Sequence, residues 1–322
     1  MVKPCKVPAI VHGIIRAQLK RPVSKELKIL KAELMKRHPH GIVALLFYGS
    51  CLRLGCSTDS IADIYVIVDS YRSFYDSLFM SISNFIVPPN VFYLETNYMG
   101  KILRLKYSVI SISQLERATS SLWFHSYFWA RCCQPMQLVY CKDGEIFERI
   151  KTSLCRATYT FASRIIPCMN ASFTIRDFWL KGLELTYMAE IRPEGKERAA
   201  SIWQTSKHYF KRITPYVLNS IQSRYWQIST QGFCGTFNVK LFGSRLLLCT
   251  IPWFTKIAVG KILSILRLVK AAFTFGGGVD YALWKIERHT GVRLELNPFL
   301  RRHPILAMVL VSWKLLMQRA IR

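Results

Sequence analysis

Acidic residues are scarce in this chain, which has 19 Asp and Glu against 45 Lys and Arg among 322 residues, a formal net charge of +26. Such an imbalance predicts an anionic partner, either nucleic acid or a membrane surface. The apolar fraction of 51% excludes intrinsic disorder and is high for a protein that binds nucleic acid. Charge and apolarity together favour a lipid surface, and we expect no nucleic-acid partner.

Three other features are missing. The ten cysteines include no C-x-x-C pair and show no disulfide-like rhythm, so we expect free thiols in a reducing compartment and no structural zinc site. No uninterrupted apolar run reaches the roughly 20 residues of a transmembrane helix. No acid precedes Glu26. A basic start of this kind is typical of a mitochondrial transit peptide or of a basic helix on a bacterial protein, and we favour the second.

Apolar periodicity predicts an α+β fold. Residues 42–48 are a continuous apolar run, and residues 63–69 are a second run that is apolar between Asp63 and Asp69; both are typical of buried central strands. Further strands are predicted at residues 91–94 and 102–112. Helical periodicity is predicted at residues 8–20, 24–37 (with Ser24 as N-cap), 114–131, 145–166, 176–192 and 197–212.

The C-terminal quarter is apolar and basic. Residues 246–275 and 304–322 contain no acid, and their cations include Lys256, Lys261, Arg267 and Lys270. We expect helices that lie in a membrane interface, with apolar side chains toward lipid and cations toward lipid phosphates. Core helices of a helical subdomain are the alternative.

A candidate phosphate site lies where the first strand ends. Gly49 and Ser50 follow that strand, and a turn of this kind offers backbone N–H groups and a hydroxyl to a triphosphate. Asp63 opens the next strand, where its carboxylate can bind Mg²⁺ beside the same turn. This arrangement is the sequence skeleton of the nucleotidyltransferase superfamily.

The second carboxylate of that skeleton is displaced. The superfamily commonly has an Asp-x-Asp pair, and Ile61 occupies the place of its first Asp. Asp59, in the preceding loop, is the better substitute, because Asp69 lies six residues along the strand, some 20 Å away. A site with few carboxylates and several cations suits a phosphate monoester acceptor, which is already an oxyanion at neutral pH.

Several segments between residues 43 and 215 resemble segments of one protein family, and they follow in the same order along the chain. They are Phe47-Tyr48-Gly49-Ser50, Ala62-Asp63-Ile64-Tyr65-Val66-Ile67-Val68-Asp69, Arg104-Leu105-Lys106-Tyr107-Ser108-Val109-Ile110-Ser111, Trp129-Ala130-Arg131-Cys132-Cys133-Gln134-Pro135 and Tyr187-Met188-Ala189-Glu190-Ile191-Arg192. Together they resemble the mitochondrial translocator-maintenance type of phosphatidate cytidylyltransferase. The chain departs from the family at Cys51-Leu52, where family members have Gly-Val.

The resemblance implies that CTP and phosphatidic acid react with Mg²⁺ at an anionic membrane surface to give CDP-diacylglycerol and pyrophosphate. It implies a nucleotidyltransferase-type mixed sheet flanked by helices, then a mainly helical winged-helix-like domain and a C-terminal amphipathic helical region. The expected divisions are 1–40 (basic helices), 41–144 (nucleotidyltransferase core), 145–235 (winged-helix-like domain) and 236–322 (membrane-contacting region). The expected location is the cytoplasmic face of a bacterial inner membrane or, alternatively, the matrix side of the mitochondrial one.

The resemblance also implies residue roles. Ser50, Asp63 and Lys106 would be catalytic, Gly49, Ser50, Arg131 and Arg192 would bind the nucleotide, and Asp63, Asp59 and Glu190 would bind metal. Glu190 could instead position a cation. Lys106 could equally be a solvated strand residue, and Arg131 and Arg192 ordinary ion-pair partners. Lys196 and Arg198 could contact phosphate or be solvated loop residues, and we favour their interpretation as solvated loop residues.

Two other functions remain open from the sequence. A nucleotidyltransferase that acts on RNA or protein hydroxyls would have the same skeleton, although no RNA-binding motif is visible. A non-catalytic membrane adaptor that keeps the fold is suggested by Ile61 in place of Asp.

Overall fold

The protein has an α+β fold in which a five-stranded mixed sheet is flanked by helices. The computed structural model describes residues 7–56, 60–190, 195–231 and 235–274. The helices of the N-terminal half are α1 (Ala9–Leu19), α2 (Lys25–Arg37), α3 (Ser50–Leu54), α4 (Tyr71–Phe74), α5 (Leu78–Ile86), α6 (Ile112–Ala118) and α7 (Trp129–Cys132). They are followed by α8 (Gly144–Ile165), α9 (Ile175–Met188), α10 (Gly195–Ser220) and α11 (Ile251–Thr274).

The large sheet contains β1 (Ile42–Tyr48), β2 (Ile61–Val68), β3 (Asn90–Tyr98), β4 (Lys101–Ser111) and β5 (Gln137–Cys141). Its order is β3-β4-β2-β1-β5, and β2 with β4 is its parallel pair. The two apolar runs of the sequence are therefore adjacent inner strands, as predicted. The edge strand β5 was not predicted, because a five-residue strand beside a helix has too few alternations to be recognised.

The two faces of this sheet differ. One face, called here the closed face, packs its apolar side chains against α2 and α4; its strand residues include Leu45, Phe47, Ile64, Val66, Leu105, Tyr107 and Val109. The opposite face, called here the open face, shares a core with α1 and α8 through Leu46, Tyr65, Ile67 and Ile110. Because successive strand residues point to opposite faces, Asp63 and Lys106 belong to the open face.

A second sheet follows the first. Its strands are β6 (Ser172–Thr174), β7 (Trp226–Gln231) and β8 (Thr236–Leu241), all antiparallel, in the order β6-β8-β7. The sequence did not predict these short polar strands. It also predicted one helix at residues 114–131, where α6 and α7 are separate helices joined by a loop.

Two cysteines form a disulfide, contrary to the expectation of free thiols. Cys168, just after α8, is bonded to Cys249, 81 residues later and just before α11. Spacing along the chain could not reveal this pair, because tertiary packing alone brings the two cysteines together. The described cysteines that remain as thiols are Cys51, Cys56, Cys132, Cys133, Cys141 and Cys155.

Helix α11 is oriented differently from the prediction. Lys256 is buried, and Arg267 and Lys270 donate hydrogen bonds to the carbonyls of Pro88 and Pro89, so these cations face the protein rather than lipid phosphates. Its outer side is apolar and exposed, and includes Phe254, Ile262, Ile265, Leu268 and Val269. The segment Leu246–Ala271 is long and apolar enough to cross a membrane by length and composition alone, which is weak evidence. The predicted helix at 304–322 lies outside the described residues.

Candidate active site

Three polar residues form a row across the open face. Tyr48 of β1 pairs in register with Asp63 of β2, and Asp63 pairs with Lys106 of β4. Residues in register on neighbouring strands point to the same face, so the three side chains lie side by side. The Nζ atom of Lys106 is 2.8 Å from Oδ1 of Asp63. Lys106 is therefore part of the site, not a solvated strand residue.

Gly49 lets the chain turn directly beside this carboxylate. Its φ is +91°, a backbone conformation that favours glycine, and a Cβ atom there would lie 2.7 Å from Oδ2 of Asp63. Any larger residue would displace the carboxylate. Ser50, the next residue, begins α3, but it is not among the residues that line the cavity described below.

A cavity of about 250 Å³ opens above the row. It is lined by Tyr48, Gly49, Arg53, Asp63, Val91, Lys106, Ser108, Tyr127, Arg131, Gln134, Pro135, Tyr187 and Arg198. Four of these side chains are cationic and one is a carboxylate, so the described part of the cavity suits a polyanion. Four residues predicted for the site, Gly49, Asp63, Lys106 and Arg131, converge here.

Arg131 is held in place by a buried ion pair. Its guanidinium lies 2.7 Å from the Glu190 carboxylate, and the two side chains are only 12% and 10% exposed. Burial disfavours the Arg131 cation, but Glu190 outweighs that effect and keeps the pKa of Arg131 well above its usual value. Of the two roles considered for Glu190, this geometry favours the positioning of a cation.

Arg53 and Arg198 were not predicted as site residues, and neither forms an ion pair among the described residues. Burial, together with the nearby Arg198, lowers the pKa of Arg53. The interpretation of Arg198 as a solvated loop residue is wrong, because it is half-buried in α10 and lines the cavity. The only sequence signal for Arg53 was its place three residues after Ser50.

Tyr48 remains a neutral hydroxyl at the end of the row. Burial and the neighbouring Asp63 carboxylate raise its pKa well above the ordinary value. Its ring stacks on Tyr65 at 4.4 Å between centroids. The Tyr48 hydroxyl therefore keeps its proton and is able to donate a hydrogen bond at the cavity wall.

Helix α11 supports the same cavity from outside. The ring of Tyr127, which lines the cavity, lies between the guanidinium groups of Arg131, at 3.9 Å from the ring centroid, and Arg267, at 4.1 Å. Both contacts are in the range of cation–π interactions. A change in the position of α11 would therefore move Arg267 against the Tyr127 ring and alter the environment of Arg131.

Other predicted residues lie elsewhere. Asp69 is at the opposite end of β2 from Asp63, where its carboxylate accepts hydrogen bonds from Ser70 and Ser73, which agrees with its rejection as a metal ligand. Asp59 and Arg192 lie outside the described residues.

The described residues meet the minimum for a magnesium site. Mg²⁺ in phosphate-transfer sites is commonly bound through one or two carboxylates, with substrate phosphates and water completing its shell. Asp63 is the one carboxylate that lines the described part of the cavity, and no group of three or more His, Cys, Asp or Glu is found among the described residues. Asp63 would hold the ion, and its oxygen beside Gly49 is the one that Lys106 does not occupy.

No family model and no curated protein matches the chain.

Proposed function

We propose that this protein is a nucleotidyltransferase of the phosphatidate cytidylyltransferase kind, which joins CTP and phosphatidic acid to give CDP-diacylglycerol and pyrophosphate. The observation that carries the proposal is the convergence of Gly49, Asp63, Lys106 and Arg131 on one cationic cavity. These residues come from separate segments of the sequence, and the resemblance implies a role in nucleotidyl transfer for each of them.

The finer architecture is part of this proposal. The order α8, β6, α9, α10, β7, β8, with β6 beside β8, is that expected of a winged-helix-like domain. Such a domain would comprise the proposed residues 145–235 together with β8, which lies at residues 236–241 and pairs with β6 and β7. It would follow a nucleotidyltransferase core at residues 41–144. The basic N-terminal region, 1–40, and the membrane-contacting region, the part of 236–322 beyond β8, are proposed from composition.

The reaction would be an in-line attack of a phosphatidate oxygen on the α-phosphorus of CTP, with pyrophosphate as leaving group. The acceptor is already an oxyanion, so the site needs cations more than a base. Arg53 and Arg198 have no carboxylate partners among the described residues and would neutralise the triphosphate. Lys106 would hold Asp63 in place and contribute charge at the reacting phosphate. Mg²⁺ bound at Asp63 would neutralise charge that develops on the leaving group.

A membrane surface would supply the lipid substrate. The outer side of α11 is apolar and exposed, and the neighbouring α5 also exposes apolar residues: Leu78, Phe79, Ile82, Phe85 and Ile86. Arg267 of α11 donates a hydrogen bond to the carbonyl of Pro88, in the loop that follows α5. Large exposed apolar patches are typical of interaction sites, and we propose peripheral binding to the cytoplasmic face of a bacterial inner membrane or, alternatively, the matrix side of a mitochondrial one.

The test is pyrophosphate release from CTP by the full chain with Mg²⁺ and vesicles that contain phosphatidic acid. We expect turnover in the wild type and none in Asp63→Ala. The matched control is Asp76→Ala, because Asp76 is exposed and lies outside the cavity. Equal turnover in the wild type and Asp63→Ala, or turnover with tRNA in place of phosphatidic acid, would contradict the proposal.

A non-catalytic adaptor is the second candidate. It is favoured by one observation, that the carboxylate lining the described cavity is already paired with Lys106. Isothermal titration with CTP separates the two: an enzyme binds the nucleotide more tightly when Mg²⁺ is present, whereas an adaptor shows no metal-dependent binding.

A further inference from the structure

A second cavity lies on the far side of Arg53 from the candidate active site. It has a volume of about 410 Å³ and is formed by α1, α3 and α10, and it is called here the α1–α10 cavity. Arg53 and Pro135 line both cavities, so the two sites are separated by little more than these side chains. The proposed reaction leaves this space unused.

Unsatisfied donors are concentrated in the α1–α10 cavity. Seven buried polar side-chain atoms in the described part of the chain have no hydrogen-bond partner. Three of them, Nε2 of Gln18, Nε of Arg53 and Oγ of Ser206, belong to residues that line this one cavity. Buried polar groups are normally satisfied, and all three atoms can donate. A ligand that completes them must therefore be rich in acceptors.

The charge of the residues that line the cavity also favours a ligand rich in hydrogen-bond acceptors. Arg21, Arg53 and Arg212 line the cavity, and its described lining contains neither Asp nor Glu. Guanidinium groups are well suited to phosphate oxygens, which they can contact through two parallel hydrogen bonds. Arg53, which lines both cavities, is partly buried, whereas Arg21 and Arg212 are exposed. Three arginines with no acidic residue in the described lining favour an anion at this cavity.

We propose that the α1–α10 cavity is a second binding site, which takes a compact phosphate-bearing anion through Arg21, Gln18, Ser206 and Arg212, with Arg53 shared between the two cavities. The ligand chemistry is a phosphoryl group with several unesterified oxygens. Its source is either pyrophosphate, which the proposed reaction would release in the adjacent candidate active site, or free phosphate from solution. The site itself does not depend on nucleotidyl transfer.

The test is calorimetric titration of the full chain with inorganic pyrophosphate and, separately, with inorganic phosphate, in the presence of EDTA so that no metal contributes. We expect binding that Arg212→Gln weakens by about tenfold, because it removes a charge-assisted pair of hydrogen bonds. The control is Lys211→Gln, which removes the same charge from an exposed neighbour on α10 that does not line the cavity. Tighter binding of pyrophosphate than of phosphate identifies the reaction product as the source, and the reverse identifies free phosphate.

A second variant separates specific contacts from general attraction. Gln18→Leu leaves the charge unchanged and removes one buried donor, and we expect it to weaken binding about threefold to tenfold. Asp63→Asn should abolish nucleotide turnover but keep anion binding in EDTA, so failure of the proposed reaction would not be confused with failure of this site. The proposal is overturned if no anion binds, if Lys211→Gln weakens binding as much as Arg212→Gln, or if folded Gln18→Leu binds like the wild type.

Discussion

The closed and open faces of the large sheet are made by the same strands, but the candidate active site lies on the open face. On the closed face, the apolar side chains continue to Ala62 near the start of β2 and to Leu105 in the middle of β4, which are both still buried. On the open face, Ile67 and Ile110 give way to Asp63 and Lys106 at the end where β1 turns at Gly49. Adjacent residues of one strand therefore have different roles: one packs in the closed-face core and the next lines the cavity.

This difference shows on which face of the sheet a charged side chain can be accommodated. A carboxylate on the closed face would be buried against α2 without a partner, which is costly. On the open face the same group, one residue away, has a lysine in register and an opening to solvent. Substitutions at neighbouring positions should consequently separate activity from stability.

The largest expected effect is at the pair Asp63 and Ile64. Asp63→Asn should lower turnover by about a thousandfold or more while leaving unfolding nearly unchanged, because it removes the charge that binds metal. Ile64→Ala should lower the free energy of unfolding by about 2–5 kcal/mol, because Ile64 is fully buried in the closed-face core. Steady-state kinetics and urea unfolding of both variants measure this. A similar loss of stability in both would break the comparison.

The next effect concerns the ion pair behind the open face. Glu190→Gln leaves the Arg131 guanidinium buried without a charge partner, and we expect a loss of about 3–5 kcal/mol in unfolding free energy. Glu116→Gln is the control, because the Glu116–Arg149 pair is more exposed, with side chains 27% and 34% accessible, and should cost under about 1 kcal/mol. Equal costs for the two variants would show that Arg131 is not held by Glu190.

Gly49→Ala tests the contact between the turn and Asp63. Gly49 and Gly55 both have positive φ, but only at Gly49 would a Cβ atom meet another group, Oδ2 of Asp63. Gly55→Ala therefore measures backbone strain alone, and Gly49→Ala should cost roughly 1–2 kcal/mol more. It should also lower turnover, which Gly55→Ala should not. Thermal unfolding and pyrophosphate release of the two alanine variants measure the difference, and identical behaviour would contradict the contact.

The smallest expected effect is a pH dependence on the closed face. His38 donates to or accepts from the Tyr107 hydroxyl at 2.9 Å and stacks on Phe74, and burial, then Arg37, lowers its pKa to about 4. As pH falls from 6.5 to about 4, the unfolded chain takes up a proton that the folded chain resists, so stability is lost in that window. Because His38 is only half-buried, we expect about 1–2 kcal/mol.

Urea unfolding of the wild type and His38→Gln between pH 4 and pH 7 isolates this contribution. The difference in unfolding free energy between the two proteins should change across that range, whereas the exposed neighbour His40, replaced by Gln, should give a constant difference. A constant difference for His38→Gln would show that burial on the closed face does not lower the pKa of His38.

Much of the candidate site was predictable because its signals are local. The strand before Gly49 and the carboxylate at Asp63 are recognisable from sequence, whereas Lys106 was suggested by the family resemblance; the register of three strands brings them together. Arg53 and Arg198 were not recognised, because a single arginine on a helix has no distinctive pattern. Their place in the cavity lining follows only from the packing of α3 and α10 in the folded chain.

The sequence by itself determined that β1 and β2 are buried inner strands, because continuous apolar runs of strand length are typical of strands that are buried on both faces. It also determined the excess of cations, which is a matter of composition. The tertiary structure alone decided that Glu190 pairs with Arg131, that Cys168 meets Cys249, and that Lys256, Arg267 and Lys270 of α11 face the protein. Each of these depends on contacts between residues distant in the chain, which local periodicity does not encode.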